Sequence, residues 1–239
     1  MKILVVGGAG KVGSILLPAL DAEHDVTIFD RRPVAGREDR SIVADTSDSE
    51  AAADAVAGMD ALIYMPMGMG PGVPGTPEAD IDAAFDVNLR GFYLFLTEAL
   101  TAGVRRCIYT SSLSVYRDVM ERGRIDEDVE PDGWDAYAVS KRLAEKLCVA
   151  VASREPRLTI IALRLCGPKT EQEKERLRRE YPRVAHLWTY PDDLRRLFLA
   201  ALTCPTPGAH VIQATGDVRG TQFPGTRATA LLGWRPRGD

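Results

Sequence analysis

Short apolar runs rich in β-branched residues alternate along the chain with longer stretches whose apolar positions recur every three or four residues. Met1 to Val6, Val26 to Phe29, Ser41 to Val43, Ala61 to Tyr64, Arg106 to Thr110 and Leu158 to Leu163 read as strands buried on both faces. Between most of them the helical period predicts helices over Lys11 to Ala22, Ser49 to Ala57, Asp80 to Ala102 and Asp135 to Ser153. The last three are opened by a Ser or Asp suited to an N-cap or a first turn. Alternating units of this kind make a parallel sheet with helices on both faces, so the expected fold class is α/β, a Rossmann-type doubly wound sheet. After Gly167 and Pro168 the pattern changes to a charged helix, a second helix near Asp192 to Leu202, a short strand at Ala209 to Gln213 and a tail rich in Gly, Pro and Arg. The expected division is therefore a sheet domain over 1–168 and a small C-terminal lobe over 169–239 that does not fold independently.

One stretch is neither strand nor helix. Pro66 to Pro77 carries four Pro and four Gly directly after the fourth strand, which excludes regular structure. At the carboxyl end of a parallel strand it would hang over the crevice where doubly wound sheets bind ligands, as an active-site lid; the alternative is a disordered connection.

Composition narrows the partners. The 239 residues include 30 Lys plus Arg and 34 Asp plus Glu, a net charge of −4 spread along the chain, so there is no basic stripe to neutralise a nucleic-acid backbone. Cys107, Cys148, Cys166 and Cys204 fit neither a metal pair nor a disulfide framework. No apolar run approaches the roughly 20 residues of a membrane span, and the first residues run straight into a strand without the pattern of a signal peptide. The expectation is a cytoplasmic protein with reduced thiols, acting on a small molecule.

Candidate chemistry begins at ILVVGGAGKVGSILL, where Gly8, Gly10 and Gly13 make a GxGxxG spacing and Gly7 adds GxxGxxG, between the first strand and the first helix. Glycine permits the tight turn and a close backbone approach to a pyrophosphate, while the helix N-terminus offers free N–H groups to the anion. Asp30 ends the second strand, 20 positions after Gly10, where a carboxylate accepts hydrogen bonds from ribose hydroxyls and repels a 2′-phosphate. That favours NAD, although Arg31 and Arg32 could instead receive the phosphate of NADP. Asp45 is placed either to meet the adenine amino group or to cap a helix. Further along, Tyr137 and Lys141 share one helix face. A cation beside a phenol favours the phenolate and makes proton transfer at neutral pH feasible. Ser112 ends the fifth strand, near the cofactor end of the sheet.

Taken together these motifs resemble the extended short-chain dehydrogenases/reductases, the group that includes NAD-dependent epimerases and dehydratases. The likeness rests on GGAGKVG with Asp30 and Asp45, the helix with Asn88 and Gly91, YTSSLSVY, Tyr137 with Lys141, LRLCGP, TYPDDL and LGWRP. It implies Ser112, Tyr137 and Lys141 as catalytic residues, with Tyr137 the general acid/base. The implied cofactor set is Gly7, Gly10, Lys11, Val12, Gly13, Asp30, Arg31, Asp45, Thr46, Met65, Tyr137, Lys141 and Leu165, holding NAD in preference to NADP. In size and in its last third the chain is similar to the uronate dehydrogenases, which oxidise a hexuronic acid to its lactone. That similarity implies substrate contacts from Met67, Gly68, Ser112, Ser114 and Arg183, with Arg183 meeting a carboxylate.

Two departures bear on the substrate. The run Glu171 to Glu180 is extra length that could shift the register of Arg183, or is simply a solvated helix held by pairs such as Glu175 with Arg179. Ser112-Leu113-Ser114 and Met65-Pro66-Met67 make a more apolar wall than the resemblance leads one to expect. The implied activity is an NAD-dependent oxidoreductase acting on a secondary alcohol of a small sugar-like or sugar-acid substrate. The alternatives are a nucleotide-sugar epimerase/dehydratase with internal hydride return, or a non-catalytic dinucleotide sensor. Asn88 is read as bonding backbone near the fifth strand, Cys166 as a packed small residue and Trp234 as a lobe anchor. The helix from Ile81 to Leu100 is apolar nearly all round. Its second face, together with the resemblance, predicts a homodimer through it and the Tyr137 helix.

Overall fold

The computed structural model describes residues 1–68 and 77–238, and the side chains of 77–79 are not among those described. Seven strands form one parallel sheet: β1 (Lys2–Val6), β2 (Asp25–Asp30), β3 (Ser41–Val43), β4 (Ala61–Tyr64), β5 (Arg106–Ser112), β6 (Thr159–Leu165) and β7 (Gly208–Ala214). Their order is β3-β2-β1-β4-β5-β6-β7, the doubly wound arrangement expected from the sequence. The order reverses between β1 and β4, which opens a crevice at the carboxyl ends of those strands.

Strand residues alternate between two apolar layers. Ile3, Val5, Ile28, Ile63 and Ile161 face α1 (Lys11–Glu23), α7 (Pro191–Leu202) and α8 (Thr226–Leu232). Leu4, Val6, Phe29, Leu62 and Ile160 face α2 (Ser49–Val56), α4 (Phe92–Thr101) and α5 (Ala136–Ala152). Because helices cover both faces, β4 and β6 are buried along their whole length, and this is why β4 and the Ile160 to Leu163 part of β6 read as unbroken apolar runs. Asp48 caps α2 and Asp135 caps α5, each side chain accepting a backbone N–H three residues on.

The helix expected over Asp80 to Ala102 is present but is not α-helical throughout. It runs as α3 (Pro77–Phe85), a π-helical segment from Asp86 to Gly91, and then α4. The physical reason is Asn88, fully buried within the π segment. Its Oδ1 accepts from Gly68 N at 2.8 Å, and its Nδ2 donates to Gly68 O at 3.0 Å and to Ser140 Oγ at 3.1 Å. Satisfying this buried amide from both sides stabilises the widened turn. Asn88 therefore ties the chain after β4 to α5. The fifth strand contributes only the Tyr109 hydroxyl, which donates to the Asn88 carbonyl at 3.1 Å, so the expected bond from Asn88 to backbone near β5 is corrected to these partners. Of the Pro66 to Pro77 segment, residues 69–76 lie outside the described residues, and the lid reading falls there.

The charged helix is α6 (Glu171–Glu180), opened by a capping box between Thr170 and Glu173. Among the described residues its internal pairs are Arg176 with Glu180 at 2.7 Å and Lys174 with Glu171 at 3.8 Å. The expected Glu175 with Arg179 is not one of them. Leu177 is buried, which sets the helix face against the protein and the phase of the pairs. Trp234 is buried and its indole N–H donates to the Asp193 carbonyl at 3.1 Å, as an anchor would.

Candidate active site

A cavity of roughly 1040 Å3 opens at the carboxyl ends of the strands. Its first wall is the turn from β1 into α1. Gly7 has φ +84, and a Cβ there would lie 2.8 Å from the Pro66 nitrogen; a Cβ on Gly13 would run into the Gly8 carbonyl. Both positions require glycine, and the resulting loop brings bare backbone to the cavity. Gly10 is the N-cap of α1 without any side-chain cap, and the first turn carries no acidic residue. The first-turn N–H groups of α1 therefore face the cavity free to receive an anion. These features fit the pyrophosphate of a dinucleotide.

Asp30 lines the same cavity at the end of β2. Its carboxylate is oriented by two backbone donors, Ala9 N at 3.0 Å and Arg32 N at 3.2 Å, and so is fixed for ribose hydroxyls. Asp45 accepts from Ser47 N at 2.9 Å and Ser47 Oγ at 2.8 Å, and these bonds hold its carboxyl below the usual range. It is not the cap of α2, which is Asp48. Gly7, Gly10, Lys11, Val12, Asp30, Arg31, Asp45, Thr46, Met65, Tyr137, Lys141 and Leu165 all line the cavity, as do Met67, Gly68, Ser112 and Ser114. Gly13 acts from behind, by allowing α1 to approach the loop. Arg183 is exposed, beyond the end of α6, and is not among the lining residues.

The second wall carries the proton chemistry. Ser112 ends β5, and its hydroxyl both accepts from Ser114 N at 3.1 Å and donates to Ser114 Oγ at 3.0 Å. Tyr137 and Lys141 project from one face of α5. The Lys141 ammonium donates to the Thr110 carbonyl at 2.8 Å and lies 4.8 Å from the Tyr109 ring centroid and 5.6 Å from that of Tyr137. Burial pulls its pKa down to about 7, against an opposing pull from Glu145. Burial pushes the Tyr137 phenol up, while a hydrogen bond with Ser112 works in the other direction. Desolvation is the larger influence on the phenol.

Beneath Lys141 lies a group not anticipated from the sequence. Glu145, one further turn along α5, accepts from Ser111 Oγ at 2.6 Å and from Arg164 Nε and Nη2 at 2.8 and 2.7 Å. Arg164 also donates to the Tyr116 hydroxyl. Both members of the ion pair are buried. The spacing of Tyr137, Lys141 and Glu145, each four apart, was the available signal; the partner on β6 depends on sheet register. The cavity also takes in Pro66, Thr110, Ser111, Gly167 and Pro168, which join it by adjacency to strand ends. Cys166 is buried, and its thiol is pushed up to about 12 by that burial, consistent with a packing role.

Comparison with known proteins agrees with this architecture. A family profile described as the NAD dependent epimerase/dehydratase family matches residues 3–186. The chain is similar to L-arabinose 1-dehydrogenase (NAD(P)(+)) of Haloferax volcanii, 28% identical over 258 residues that cover 99% of this chain and 96% of the relative. It is 24% identical to uronate dehydrogenase of Pseudomonas syringae pv. tomato, over 99% of this chain and 82% of the relative. Among solved structures, an NAD-bound short-chain dehydrogenase/reductase superfamily protein from Agrobacterium tumefaciens superposes with a TM-score of 0.78 at 21% identity, over 99% of this chain and 93% of its own.

Proposed function

The chain belongs to the NAD dependent epimerase/dehydratase family of extended short-chain dehydrogenases/reductases, and within it we propose an oxidoreductase acting on a secondary alcohol of a small sugar-like or sugar-acid substrate. The observation that carries this reading is the meeting of Ser112, Tyr137 and Lys141 in one cavity with the glycine turn and Asp30. A sensor of the dinucleotide would need only the latter two. NAD, when bound, accepts hydride at C4 of its nicotinamide ring.

The chain's own residues supply placement and the proton. Ser112 Oγ, fixed by Ser114, holds the substrate hydroxyl. Tyr137 Oη takes the hydroxyl proton. Lys141, held by the Thr110 carbonyl, steadies the negative charge that appears on the phenol. Wall residues Met65 and Leu165, both buried, exclude water from one side. Of residues 169–239, β7 joins the parallel sheet and α7 and α8 pack on its face, so the substrate lobe expected over that whole range narrows in this reading to the segments before α7 and after β7.

The test is to incubate the protein with NAD and a panel of free sugars, hexuronic acids and nucleotide-sugars while recording NADH absorbance. Net NADH from a free sugar or sugar acid is the expected result. Product without net NADH would make the chain an epimerase or dehydratase, and binding of NAD without product from any of them would leave a sensor.

A homodimer belongs to the same reading. Tyr93, Leu143 and Val149 are exposed on α4 and α5, at 53%, 43% and 52%. Tyr93 borders an apolar hollow between those helices shared with Leu89, Leu100, Leu147 and Val151. Burying this face against a second copy would remove it from water. Light scattering at micromolar concentration should give twice the 26.1 kDa chain mass; a monomeric mass would count against the dimer.

A further inference from the structure

The charged groups that line the cavity sort by the two halves of the sheet. Among the described residues they are Lys11, Asp30, Arg31, Arg32, Asp45 and Lys141. The first five follow β1, β2 and β3, the half that fits the pyrophosphate and its ribose. Lys141 lies in the other half, buried and donating to the Thr110 carbonyl.

The half built on β4, β5 and β6 has a different chemistry. Met65, Met67, Ala83, Val87, Leu165 and Pro168 line it as an apolar wall, and Ser112, Ser114 and Tyr137 supply a hydroxyl edge. The sequence itself denies this wall a cation: from Ser41 to Leu89 there is no Lys, Arg or His. That span takes in β4, the segment after it with residues 69–76 included, and α3. Asp80, Asp82 and Asp86, in the same span, are exposed, so the field on this side opposes an approaching anion. The buried Arg164 guanidinium is committed to Glu145 at 2.7 Å, and Arg183 is exposed and not among the lining residues.

We propose that this half of the cavity selects an uncharged sugar, with the carbinol edge on Ser112 and Tyr137 and the least polar face on the apolar wall, and discriminates against sugar acids. The proposal rests on the oxidoreductase reading and narrows its substrate class. An ionised carboxylate pressed on this wall gives up water without meeting a counter-charge. A methyl group in the same place leaves water at a gain.

The experiment titrates the NAD-loaded Tyr137→Phe protein calorimetrically with D-gluco, D-galacto and D-manno sugars, each as the 6-deoxy sugar, the parent hexose and the uronate. Within a series these differ only at C6. In the series that binds most tightly, the uronate should bind at least about tenfold more weakly than the parent, and the 6-deoxy sugar about threefold more tightly. Met67→Arg, at a lining residue that is 63% exposed, puts a cation on the wall and should narrow the uronate deficit by about threefold or more. A smaller uronate deficit, a 6-deoxy sugar weaker than its parent, a deficit that Met67→Arg leaves unchanged, or no binding by any sugar overturns the proposal. Turnover by the unsubstituted protein separates the two readings. NADH formed from uronates as readily as from neutral sugars keeps the oxidoreductase and overturns the selectivity. The expected binding order with no NADH from any sugar keeps the selectivity and overturns the oxidoreductase.

Discussion

Replacing Tyr137 by Phe should lower kcat by about 10²–10⁴-fold while leaving the dissociation constant for NAD within about twofold of the unsubstituted protein. The substitution removes one oxygen from a side chain already held by helix α5 and keeps its ring against the cavity. The dinucleotide loop, Asp30 and Asp45 lie on the other wall and are untouched. What disappears is the phenol to which the proposed mechanism gives the proton of a hydroxyl bonded to Ser112. Lys141 remains in place, donating to the Thr110 carbonyl. Stopped-flow NADH absorbance on whichever panel substrate turns over, with NAD titrated by calorimetry, separates the two effects. Turnover within tenfold of the parent would remove Tyr137 from the proton-transfer role. A parallel loss of NAD affinity would point to a cofactor contact as its main contribution.

The sheet was legible because two-sided burial leaves the same mark in sequence as in structure. Ile3 to Val6 and Ala61 to Tyr64 are apolar throughout since each side chain meets a helix layer. The glycine turn and Asp30 were legible because they are local, set by a strand end and a helix start. The limits appear where a contact spans the chain. The π-helical turn in the long helix follows from Asn88, whose partners Gly68 and Ser140 lie 20 and 52 positions away, so periodicity alone reads it as regular α-helix. In α6 the four-residue spacing was right and its phase was not, because buried Leu177 decides which charges share a face. Arg183 was placed by its distance from Trp188, but a turn after α6 leaves it exposed. The Tyr137 phenol shows a similar limit: spacing identified its neighbour, while the direction of its pKa depends on burial.

Removing one member of the Glu145 and Arg164 pair should be among the most destabilising single changes in the protein. Glu145→Gln leaves a buried guanidinium without its counter-charge, a situation that costs about 3–5 kcal/mol. For a chain of this size that corresponds to a fall in Tm of about 6–20 °C. Replacing both partners together, Glu145→Met with Arg164→Leu, should recover most of the loss, because the buried guanidinium is then no longer left without its carboxylate. Thermal unfolding of the single and double variants gives the comparison, and a single-variant loss below about 1 kcal/mol would show the pair to be dispensable. The same substitution acts on Lys141, whose pKa Glu145 holds up. Without the carboxylate the Lys141 titration should move below about 7, since burial then acts unopposed. The sign of its effect on stability follows from linkage. An unfolded chain keeps the Lys141 proton up to its ordinary value near 10.5, while the folded chain releases it near 7. Stability from this group therefore rises with pH between those two values and is least below the lower one. In Glu145→Gln the lower edge of that window should shift to more acidic pH, which unfolding measured across pH would read independently of catalysis.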